Sequence, residues 1–343
     1  MPPTTIAWCD HSINPIRARN LETGAVGHYC EKISPGCRHC YSSTLQPRFQ
    51  MPSFQEQRGS GSSIEPFLDT TKLEQVLQRK KPTKYFWADM TDLFGEWVPD
   101  AWLDQCFATM ALTPQHTHMV LTKRPERMLR YLTDLPRRLP TPGSGRCTGG
   151  PPFCRGIVSD GCDHSVGYCG APWSLPNVWC GISVENQAAA ETRIPLLLQV
   201  PAAIRFLSCE PLLSSVDLTN LRTTDGYLNA LTGLYASKDA MTERLDWAIC
   251  GGESGPQARP CHLPWIEYLL RQCQETGTAC FVKQLGHQAY DPHQIYVLNE
   301  GRVHECEGCV SCRYHTKDAK GADPTEWPLA LRIQKFPQPR VLH

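Results

Sequence analysis

The amino-acid sequence predicts an α/β fold in which strands and helices alternate as a complete or partial (β/α) TIM-type barrel. Short apolar runs of strand length alternate with longer segments of helical periodicity, which is typical of parallel strands covered on both faces. Polar residues gather at the carboxyl end of these runs, where parallel α/β folds build their sites. The 343 residues are enough for such a barrel.

The first half of the predicted barrel begins with a short strand at 4–10, TTIAWCD, and a loop rich in turn-forming residues. The segment 30–41 carries three cysteines and leads into an expected helix at 41–49. Residues 52–66 are a Gly/Ser/Pro-rich connection with little expected order. The next expected elements are a helix at 65–79, a strand at 84–88, a helix at 99–111, a strand at 118–123 and a helix at 124–135.

The second half follows a Cys-rich insertion at 141–175. Strands are expected at 178–186, 204–210, 246–255 and 279–286, and helices at 187–200 and 263–276. The predicted barrel therefore occupies residues 1–286. Residues 287–343 form a predicted C-terminal extension that contains a CxxCxxC motif.

Charge and hydropathy patterns exclude several classes of protein. Thirty-four basic and 34 acidic residues cancel, so no strong overall field attracts nucleic acid, and any such contact would need a local patch. The N-terminal segment lacks a basic stretch followed by an apolar one, which argues against a secretory signal. No apolar run is long enough to span a membrane. We expect a soluble cytoplasmic protein.

Eighteen cysteines are far more than a chain of this length ordinarily contains. Because no export signal is visible, the thiols are expected to be reduced, and metal ligation is the better explanation for the clustered ones. The isolated cysteines lie in apolar stretches and are expected to be small buried hydrophobes. The clusters are Cys30/Cys37/Cys40, Cys147/Cys154/Cys162/Cys169 and Cys306/Cys309/Cys312.

The first cluster places three thiols on one short loop, with six residues and then two between them. Three soft thiolates suit either a zinc ion or an iron–sulfur cluster. A cluster on three cysteines keeps one iron free for another ligand, whereas zinc would take a fourth ligand such as His28 or His39. The spacing alone leaves both interpretations open.

The second and third clusters also have metal-ligand character. The second lies in a Gly/Pro-rich insertion with too little apolar content to fold unaided, so a metal or disulfides would have to organise it. A closed zinc site and a second iron–sulfur cluster are equally feasible there. The third cluster, with His304 and His315 nearby, suits a cluster or a zinc ion. Reduced, unligated thiols are the alternative for both.

Polar residues end six consecutive predicted strands. Each one alone is unremarkable, because charged residues commonly terminate strands, but six in succession indicate a shared site. The residues are Asp89, Thr91 and Asp92; Lys123 and Arg124; Ser183, Glu185 and Asn186; Ser208 and Glu210; Gly251, Gly252 and Glu253; and Lys283 and Gln284.

The cysteine loop, placed after the first strand and facing these strand ends, resembles the arrangement of radical S-adenosylmethionine (SAM) enzymes. Their usual spacing is three residues and then two, with an aromatic residue before the last cysteine; here it is six and two, with Tyr41 after it. The resemblance implies a [4Fe–4S] cluster on Cys30, Cys37 and Cys40 that binds SAM and generates a 5′-deoxyadenosyl radical. It also implies an electron donor of the flavodoxin or ferredoxin type.

The same resemblance suggests roles for the strand ends. Asp89 and Thr91, or the run Gly251, Gly252 and Glu253, would hold the methionine amino group. Because the Gly-Gly-Glu segment of radical-SAM proteins follows the second strand and this one follows about the sixth, a structural turn stays an alternative. The ribose and the rest of the cofactor would contact Ser183, Glu185, Asn186 and Ser208. The candidate catalytic or substrate-binding residues are Lys123, Glu210 and Lys283, and Arg124 is a further candidate contact for substrate or a carboxylate.

A closer resemblance covers nearly the whole chain. The runs INPIRARN, CEKISPGCRHCY, LTKRPERM, VWCGISVENQ, RFLSCEPLL, WAICGGESGPQARP, FVKQLG and DPTEWP occur in this order. They are similar to the phage-associated family of unknown function named after phage gene products thirty-seven and sixty-eight, which is regarded as radical-SAM-like. This resemblance implies a substrate in phage biology within the host cytoplasm.

One such substrate is an amino-acid-bearing modified thymine in phage DNA, which an isomerase or other base-modifying enzyme would rearrange or tailor. The exposed basic residues that would contact its phosphates are Arg17, Arg19, Arg124, Arg127 and Arg130, although such arginines more often make surface ion pairs or bind a carboxylate. One alternative is a zinc-stabilised nucleic-acid-binding or interaction protein without radical chemistry. Another is a barrel of radical-SAM origin that holds a cluster without catalysing a reaction.

Overall fold

The computed structural model describes residues 4–54, 56–58, 63–138, 174–236, 240–291, 296–297, 303–304 and 313–338. A seven-stranded parallel sheet is the central element, and its strand order follows the order of the chain. This arrangement confirms the predicted α/β class and parallel sheet, and it is consistent with a partial barrel. The strands are β1 (His11–Ile13), β2 (Lys84–Trp87), β3 (Thr117–Thr122), β4 (Val178–Ser183), β5 (Ile204–Cys209), β6 (Trp247–Gly251) and β7 (Ala279–Gln284).

Helices precede or follow most of these strands, and their ends carry recognisable signals. The helix at 187–197 begins after Asn186, whose side chain accepts a hydrogen bond from the Ala189 N–H at 2.9 Å. The helix at 263–276 stops at Gly277, which has φ +71°. In the described part of the chain, no helix is both long and apolar enough to cross a bilayer. The helices are α1 (Tyr41–Leu45), α2 (Thr70–Gln78), α3 (Asp100–Ala111), α4 (Pro125–Arg138), α5 (Gln187–Leu197) and α6 (Leu263–Thr276).

Within the residues that the structure describes, four smaller sheets accompany the central one. The first is antiparallel and consists of Val26–Gly27, Ile16–Asn20 and Ile64–Leu68; the second consists of Leu221–Thr223, Gly226–Asn229 and Leu234–Tyr235. The remaining two are the pairs Cys261–His262 with Ala289–Tyr290, and Tyr296–Val297 with Val303–His304. Short 3-10 turns occupy Pro35–Cys37, Gln46–Phe49, Glu56–Arg58, Pro324–Glu326 and Leu329–Leu331.

Three predictions for the first part of the chain were wrong. The segment 11–27, predicted as a loop, contains β1 and the strands Ile16–Asn20 and Val26–Gly27. Residues 4–10 do not form a strand; the first parallel strand is β1, which pairs with β2 so that His11 lies opposite Tyr85. The apolar residues before β1 are buried by packing rather than by pairing, since the ring of Trp8 lies 4.5 Å from that of Phe86. Residues 65–68, predicted as the start of a helix, belong to a strand, and α2 begins only after Asp69.

The described residues fall into two compact units. The first contains the described residues within 4–182 and 199–204, and the second contains those within Ser183–Leu198 and Arg205–Gln338. Nothing in this division tests the predicted boundary at residue 286 or the predicted insertion at 141–175, which stay predictions.

Each unit has its own aromatic core. In the first, the ring of Phe107 lies 5.4 Å from Tyr131 and 6.2 Å from Phe94. In the second, Trp247 lies 5.7 Å from Phe206 and 5.2 Å from Phe336. Full burial of one such side chain contributes about 1.5–3 kcal/mol to the free energy of unfolding.

The C-terminal segment 313–338 covers the outer edge of β7. The Val282 N–H donates to the Ile333 carbonyl at 2.8 Å, and the Lys335 N–H donates to the Cys280 carbonyl at 2.9 Å. An exposed strand edge would present unpaired backbone groups to other chains, and this segment satisfies them. The indole of Trp247 adds a hydrogen bond to the Lys335 carbonyl at 2.8 Å.

A buried histidine in β3 makes stability depend on pH. The Trp87 indole donates to Nδ1 of His118 at 3.0 Å, so the ring is neutral with its proton on Nε2, 2.9 Å from the Thr113 hydroxyl. Burial, with a smaller effect of His116, lowers the pKa of His118 to about 3. The unfolded chain therefore binds a proton that the folded chain excludes once the pH falls below about 6.5.

We expect the free energy of unfolding to decrease as the pH falls from about 6.5 toward about 3. Urea unfolding at several pH values measures this loss. A His118→Phe variant should be less stable at neutral pH, because the Trp87 indole loses its acceptor, yet should show a shallower acid loss. His315→Gln, an exposed position, is the control. Equal acid losses in His118→Phe and the unsubstituted protein would contradict this explanation.

Candidate functional site

The cysteine loop, residues 28–41, is fastened at both ends to the segment that follows β2. At its beginning, the Thr91 hydroxyl donates to the Tyr29 carbonyl. At its end, the Tyr41 hydroxyl donates to the backbone carbonyl of Asp89 at 2.6 Å and reaches its carboxylate at 3.1 Å. Ser42, the next residue, donates to the Met90 carbonyl at 2.5 Å. The loop is therefore held at the carboxyl end of β2.

Local hydrogen bonds fold the long gap between the first two cysteines. The Cys37 N–H donates to the Ser34 carbonyl at 2.9 Å within the turn Pro35–Cys37, and the Cys40 N–H donates to the Cys37 carbonyl at 3.4 Å. Lys32 Nζ reaches the Arg38 carbonyl at 3.2 Å. These bonds let six intervening residues turn back on themselves, so that both ends of the loop meet the same segment after β2.

Two thiols of the loop have different electrostatic environments. Burial raises the pKa of Cys30, and the nearby Asp92 and Cys40 side chains raise it further, against a lowering effect of Arg124. Burial would also raise the pKa of Cys37, but the Lys123 ammonium outweighs it together with hydrogen bonds from Ile33 and Ser34, so this pKa is lowered. The Ser34 hydroxyl lies 3.6 Å from the Cys37 sulfur. Cys37 is accordingly the thiol that ionises more readily of these two.

The donor chemistry of the loop fits a three-thiolate iron–sulfur cluster. All three cysteines are free and partly exposed, and Cys30 is close enough to the other two for each to shift its pKa. Among the residues that the structure describes, no three His, Cys, Asp or Glu side chains already converge as a metal site. Binding of a cluster would thus require the side chains of Cys30, Cys37 and Cys40 to turn toward a common centre. The ends of the loop would stay fixed.

Asp92 follows β2, and its side chain connects the segment that holds the cysteine loop with the end of β3. Its buried carboxylate accepts hydrogen bonds from the Thr122 hydroxyl at 2.7 Å and from the backbone N–H groups of Phe94 and Lys123 at 3.0 and 3.1 Å. Arg124 Nη1 completes the set at 2.9 Å. A carboxylate with four donors is a fixed structural anion.

Asp89 and Thr91, predicted to bind the methionine amino group, both lie beside the cysteine loop. The Asp89 carboxylate accepts from the Asn14 amide at 2.5 Å as well as from Tyr41. Burial raises the pKa of Asp89 despite the hydrogen bonds from Asn14, Tyr41 and Ser12. The Thr91 hydroxyl is used by the Tyr29 carbonyl. Of the two, Asp89 has the side chain with acceptor capacity left for a ligand.

Two of the predicted phosphate-binding arginines are buried instead of exposed. Arg124 pairs with Asp92, and Arg127 donates to the carbonyls of Gly95 and Val98 and lies 3.2 Å from the Asp100 carboxylate. These contacts make both arginines part of the protein interior, which corrects that expectation. Arg17 pairs with Asp69 at 3.3 Å, whereas Arg19 and Arg130 are exposed.

In the second unit, two carboxylates after the strands are held by arginines nearby in sequence. Arg193 lies 2.8 Å from the Glu185 carboxylate and also donates to the Ser183 carbonyl at 2.7 Å. Arg259 contacts both oxygens of Glu253, at 2.9 and 2.7 Å. Planar guanidinium groups that bind carboxylates at two points fix them in place. Asn186, another predicted cofactor residue, caps α5.

Glu210 and Lys283 form a more accessible ion pair. Lys283 Nζ lies 2.8 Å from each oxygen of Glu210, and the two side chains are 22% and 15% exposed. The structure thus brings together two of the three predicted catalytic residues, while the third, Lys123, lies in the first unit and acts on Cys37. Ser208 is buried, and its carbonyl accepts from the Val184 N–H at 3.0 Å.

Comparison with known protein families shows to which family the chain belongs. A family model described as Protein of unknown function (DUF5131) matches residues 3–324. The chain belongs to this family. No curated protein and no solved structure matches it. Because the family description names no activity, the function of this DUF5131 protein has to be argued from its residues.

The glycines of the GGESG run in the DUF5131 chain allow two backbones to approach each other. A Cβ on Gly251 would lie 2.7 Å from the Gln284 carbonyl oxygen, and one on Gly252 would lie 2.2 Å from that of Leu285. Both glycines are therefore explained by packing between the ends of β6 and β7, independently of any ligand.

Gly252→Ala is expected to destabilise the protein by about 3 kcal/mol, because backbone rather than a flexible side chain would have to move. Gly24→Ala is the matched control: Gly24 has φ +73° and open space around it, so alanine should cost only about 1 kcal/mol. Urea unfolding of both variants measures the difference. A Gly252→Ala protein as stable as Gly24→Ala would show that this contact is looser than the distances indicate.

Several residues of the site were not singled out from the sequence. Tyr29, Ser42 and Asn14 anchor the loop or the Asp89 carboxylate, and Trp97 packs under Arg124 at 4.8 Å. The only signal in the sequence is that Tyr29 and Ser42 lie close to the outer cysteines. The predicted metal ligands Cys147, Cys154, Cys162, Cys169, Cys306, Cys309 and Cys312 lie outside the described residues.

Proposed function

We propose that this protein is a radical-SAM enzyme whose [4Fe–4S] cluster is held by Cys30, Cys37 and Cys40. The observation that carries the proposal is the attachment of the cysteine loop, at both ends, to the segment that follows β2. Parallel α/β folds build their ligand sites at this edge. Three thiols there, with polar residues after β2 and β3, form a suitable arrangement for a cluster that keeps one iron open.

The cluster, when bound, would supply the electron that cleaves SAM into methionine and a 5′-deoxyadenosyl radical. The protein's own residues have separate tasks. Cys37, with its lowered pKa, would bind iron as a thiolate more readily than Cys30, since the thiolate is the ligating form. Lys123 favours that thiolate, and Asp89, directly beside Tyr41, would accept a hydrogen bond from the methionine amino group.

The substrate that we propose is an amino-acid-bearing thymine in phage DNA, which the enzyme would rearrange or tailor with electrons from a flavodoxin- or ferredoxin-like donor. Its support is the resemblance of the ordered motifs to the phage-associated family. Glu210 and Lys283 are the charged side chains proposed to contact the amino-acid group, because their ion pair is accessible and a lysine is a point charge that can change partners. Arg19 and Arg130 are the exposed arginines left for phosphate contacts.

The test is anaerobic reconstitution with iron and sulfide, followed by dithionite, SAM and chromatographic detection of 5′-deoxyadenosine. We expect slow formation of 5′-deoxyadenosine without substrate and faster formation with DNA that contains the modified base. Iron-loaded protein that never cleaves SAM, even with that DNA, would contradict radical chemistry. Colourless protein that contains stoichiometric zinc would instead support the zinc-stabilised binding protein.

A further inference from the structure

Arg124 lies between a fixed anion of the fold and an anion of the cysteine loop. Its Nη1 is 2.9 Å from the buried Asp92 carboxylate, and its Nη2 is 3.6 Å from the Glu31 carboxylate and 3.5 Å from the Glu31 carbonyl. The guanidinium also stacks on the Trp97 ring at 4.8 Å. The contact with Asp92 is shielded from water, since both side chains are at most 10% exposed, whereas the Glu31 side chain is 31% exposed.

The loop residues on either side of Cys30 are both engaged in this contact. Tyr29 packs edge-on against Trp97, with ring centres 5.0 Å apart, and its hydroxyl lies 3.2 Å from the Glu31 carboxylate. The Thr91 hydroxyl holds the Tyr29 carbonyl. Cys30 is thus placed by its neighbours, whose contacts converge on Arg124 and Trp97.

The two ends of the loop are held by different forces. Hydrogen bonds from the hydroxyls of Tyr41 and Ser42 secure the end near Cys40. The end near Cys30 combines the hydrogen bond from Thr91 to the Tyr29 carbonyl with the Arg124 cation, which lies between the carboxylates of Asp92 and Glu31. Without the Arg124 charge, the carboxylates of Asp92 and Glu31 would lose the cation that lies between them, and their mutual repulsion would oppose this placement of the loop.

We propose that Arg124 is a positioning residue that holds the Cys30 end of the loop, so that this thiol faces the same centre as Cys37 and Cys40. The proposal rests on the proposed cluster, because holding Cys30 in place matters for function only if this thiol binds iron. The contacts of Arg124 themselves are present in the protein without metal. Lysine would restore the charge without the planar fork and the stacking on Trp97, so it should rescue the function only in part.

Two measurements on the full chain test this proposal: the initial rate of tryptic cleavage after Lys32 in metal-free protein, and iron per chain after reconstitution. Arg124→Gln should be cleaved about tenfold faster, because the loop end opens locally, and should bind markedly less iron. Arg124→Lys should be intermediate in both. Arg222→Gln, at an exposed position that has no proposed role, should match the unsubstituted protein.

Because Arg124→Gln leaves Asp92 buried without its cation, the double variant Arg124→Gln/Asp92→Asn separates loop placement from folding. It should retain the fold by circular dichroism yet keep the fast cleavage after Lys32. Unchanged cleavage in this double variant would overturn the role of Arg124. If the unsubstituted protein binds no iron, the proposed cluster fails, whereas the cleavage rates still decide whether Arg124 holds the loop.

Discussion

Replacement of Cys37 by alanine is expected to abolish iron binding while leaving the fold intact. Iron per chain after reconstitution should fall from about four to near zero if this loop holds the only cluster, because a [4Fe–4S] cluster does not persist on two of these thiolates. Cys37 is partly exposed, and the Ser34 hydroxyl lies 3.6 Å from its sulfur, so stability should change little.

The matched control is Cys106→Ala in α3, where the thiol is fully buried. This variant should keep its iron and lose about 1 kcal/mol of stability, since it removes a small apolar group from the core. We therefore expect Cys37→Ala to lose its iron and keep its stability, and Cys106→Ala to keep its iron and lose some stability. Full iron content in Cys37→Ala would place the ligands elsewhere, and the cysteines of 147–169 and 306–312 would then be the candidates.

Asp92→Ala should produce the largest loss of stability among the site variants, about 3–5 kcal/mol in the metal-free protein. The change leaves the Arg124 guanidinium buried without its closest anion and removes the acceptor for Thr122, Phe94 and Lys123. Asp100→Ala is the control, because that carboxylate is 59% exposed and its pair with Arg127 should contribute less than about 1 kcal/mol.

Urea unfolding monitored by circular dichroism measures both variants. An Asp92→Ala protein within about 1 kcal/mol of the unsubstituted chain would mean that Arg124 finds another anion, for example by moving fully to Glu31. Asp92→Asn should lie between the two extremes, since it keeps one oxygen acceptor for the surrounding donors while losing the charge.

The central sheet was predictable because its strands are short apolar runs between helices, and α6 was predicted at its observed bounds, with Pro264 near its start and Gly277 at its end. The failure at residues 4–10 has a clear cause. Trp8 and Cys9 are apolar and buried, as strand residues would be, but they pack on neighbours without joining the ladder. A buried segment has the same local pattern of apolar residues whether or not it pairs with a neighbouring strand.

The site was less predictable because its contacts join residues that are far apart in the chain. Arg124 and Glu31 are separated by 93 positions, and Lys283 and Glu210 by 73. The periodic pattern of apolar residues in the sequence does not indicate a contact between residues so far apart. By contrast, the carboxylates Glu185 and Glu253 were correctly placed after strands, but their partners Arg193 and Arg259 lie in the following segments and occupy the oxygens that a ligand would need.

The same reasoning explains the glycines. A Gly-Gly-Glu run next to a strand indicates close backbone approach, yet the sequence does not say whether the approaching group is a ligand or another strand. Here the carbonyl oxygens of Gln284 and Leu285 fill that space. The resemblance to a methionine-binding segment therefore has a structural explanation, and Asp89, beside the cysteine loop, is the better candidate for the amino group.

We propose that Cys30, Cys37 and Cys40 hold a cluster with an iron open to SAM. Electron paramagnetic resonance of the reduced, reconstituted protein tests this proposal most directly, because SAM bound at that iron changes the signal of the cluster. The prediction is a reduced [4Fe–4S] signal that shifts when SAM is added and that is missing in Cys37→Ala. A signal that SAM leaves unchanged, or that persists in Cys37→Ala, would contradict the claim.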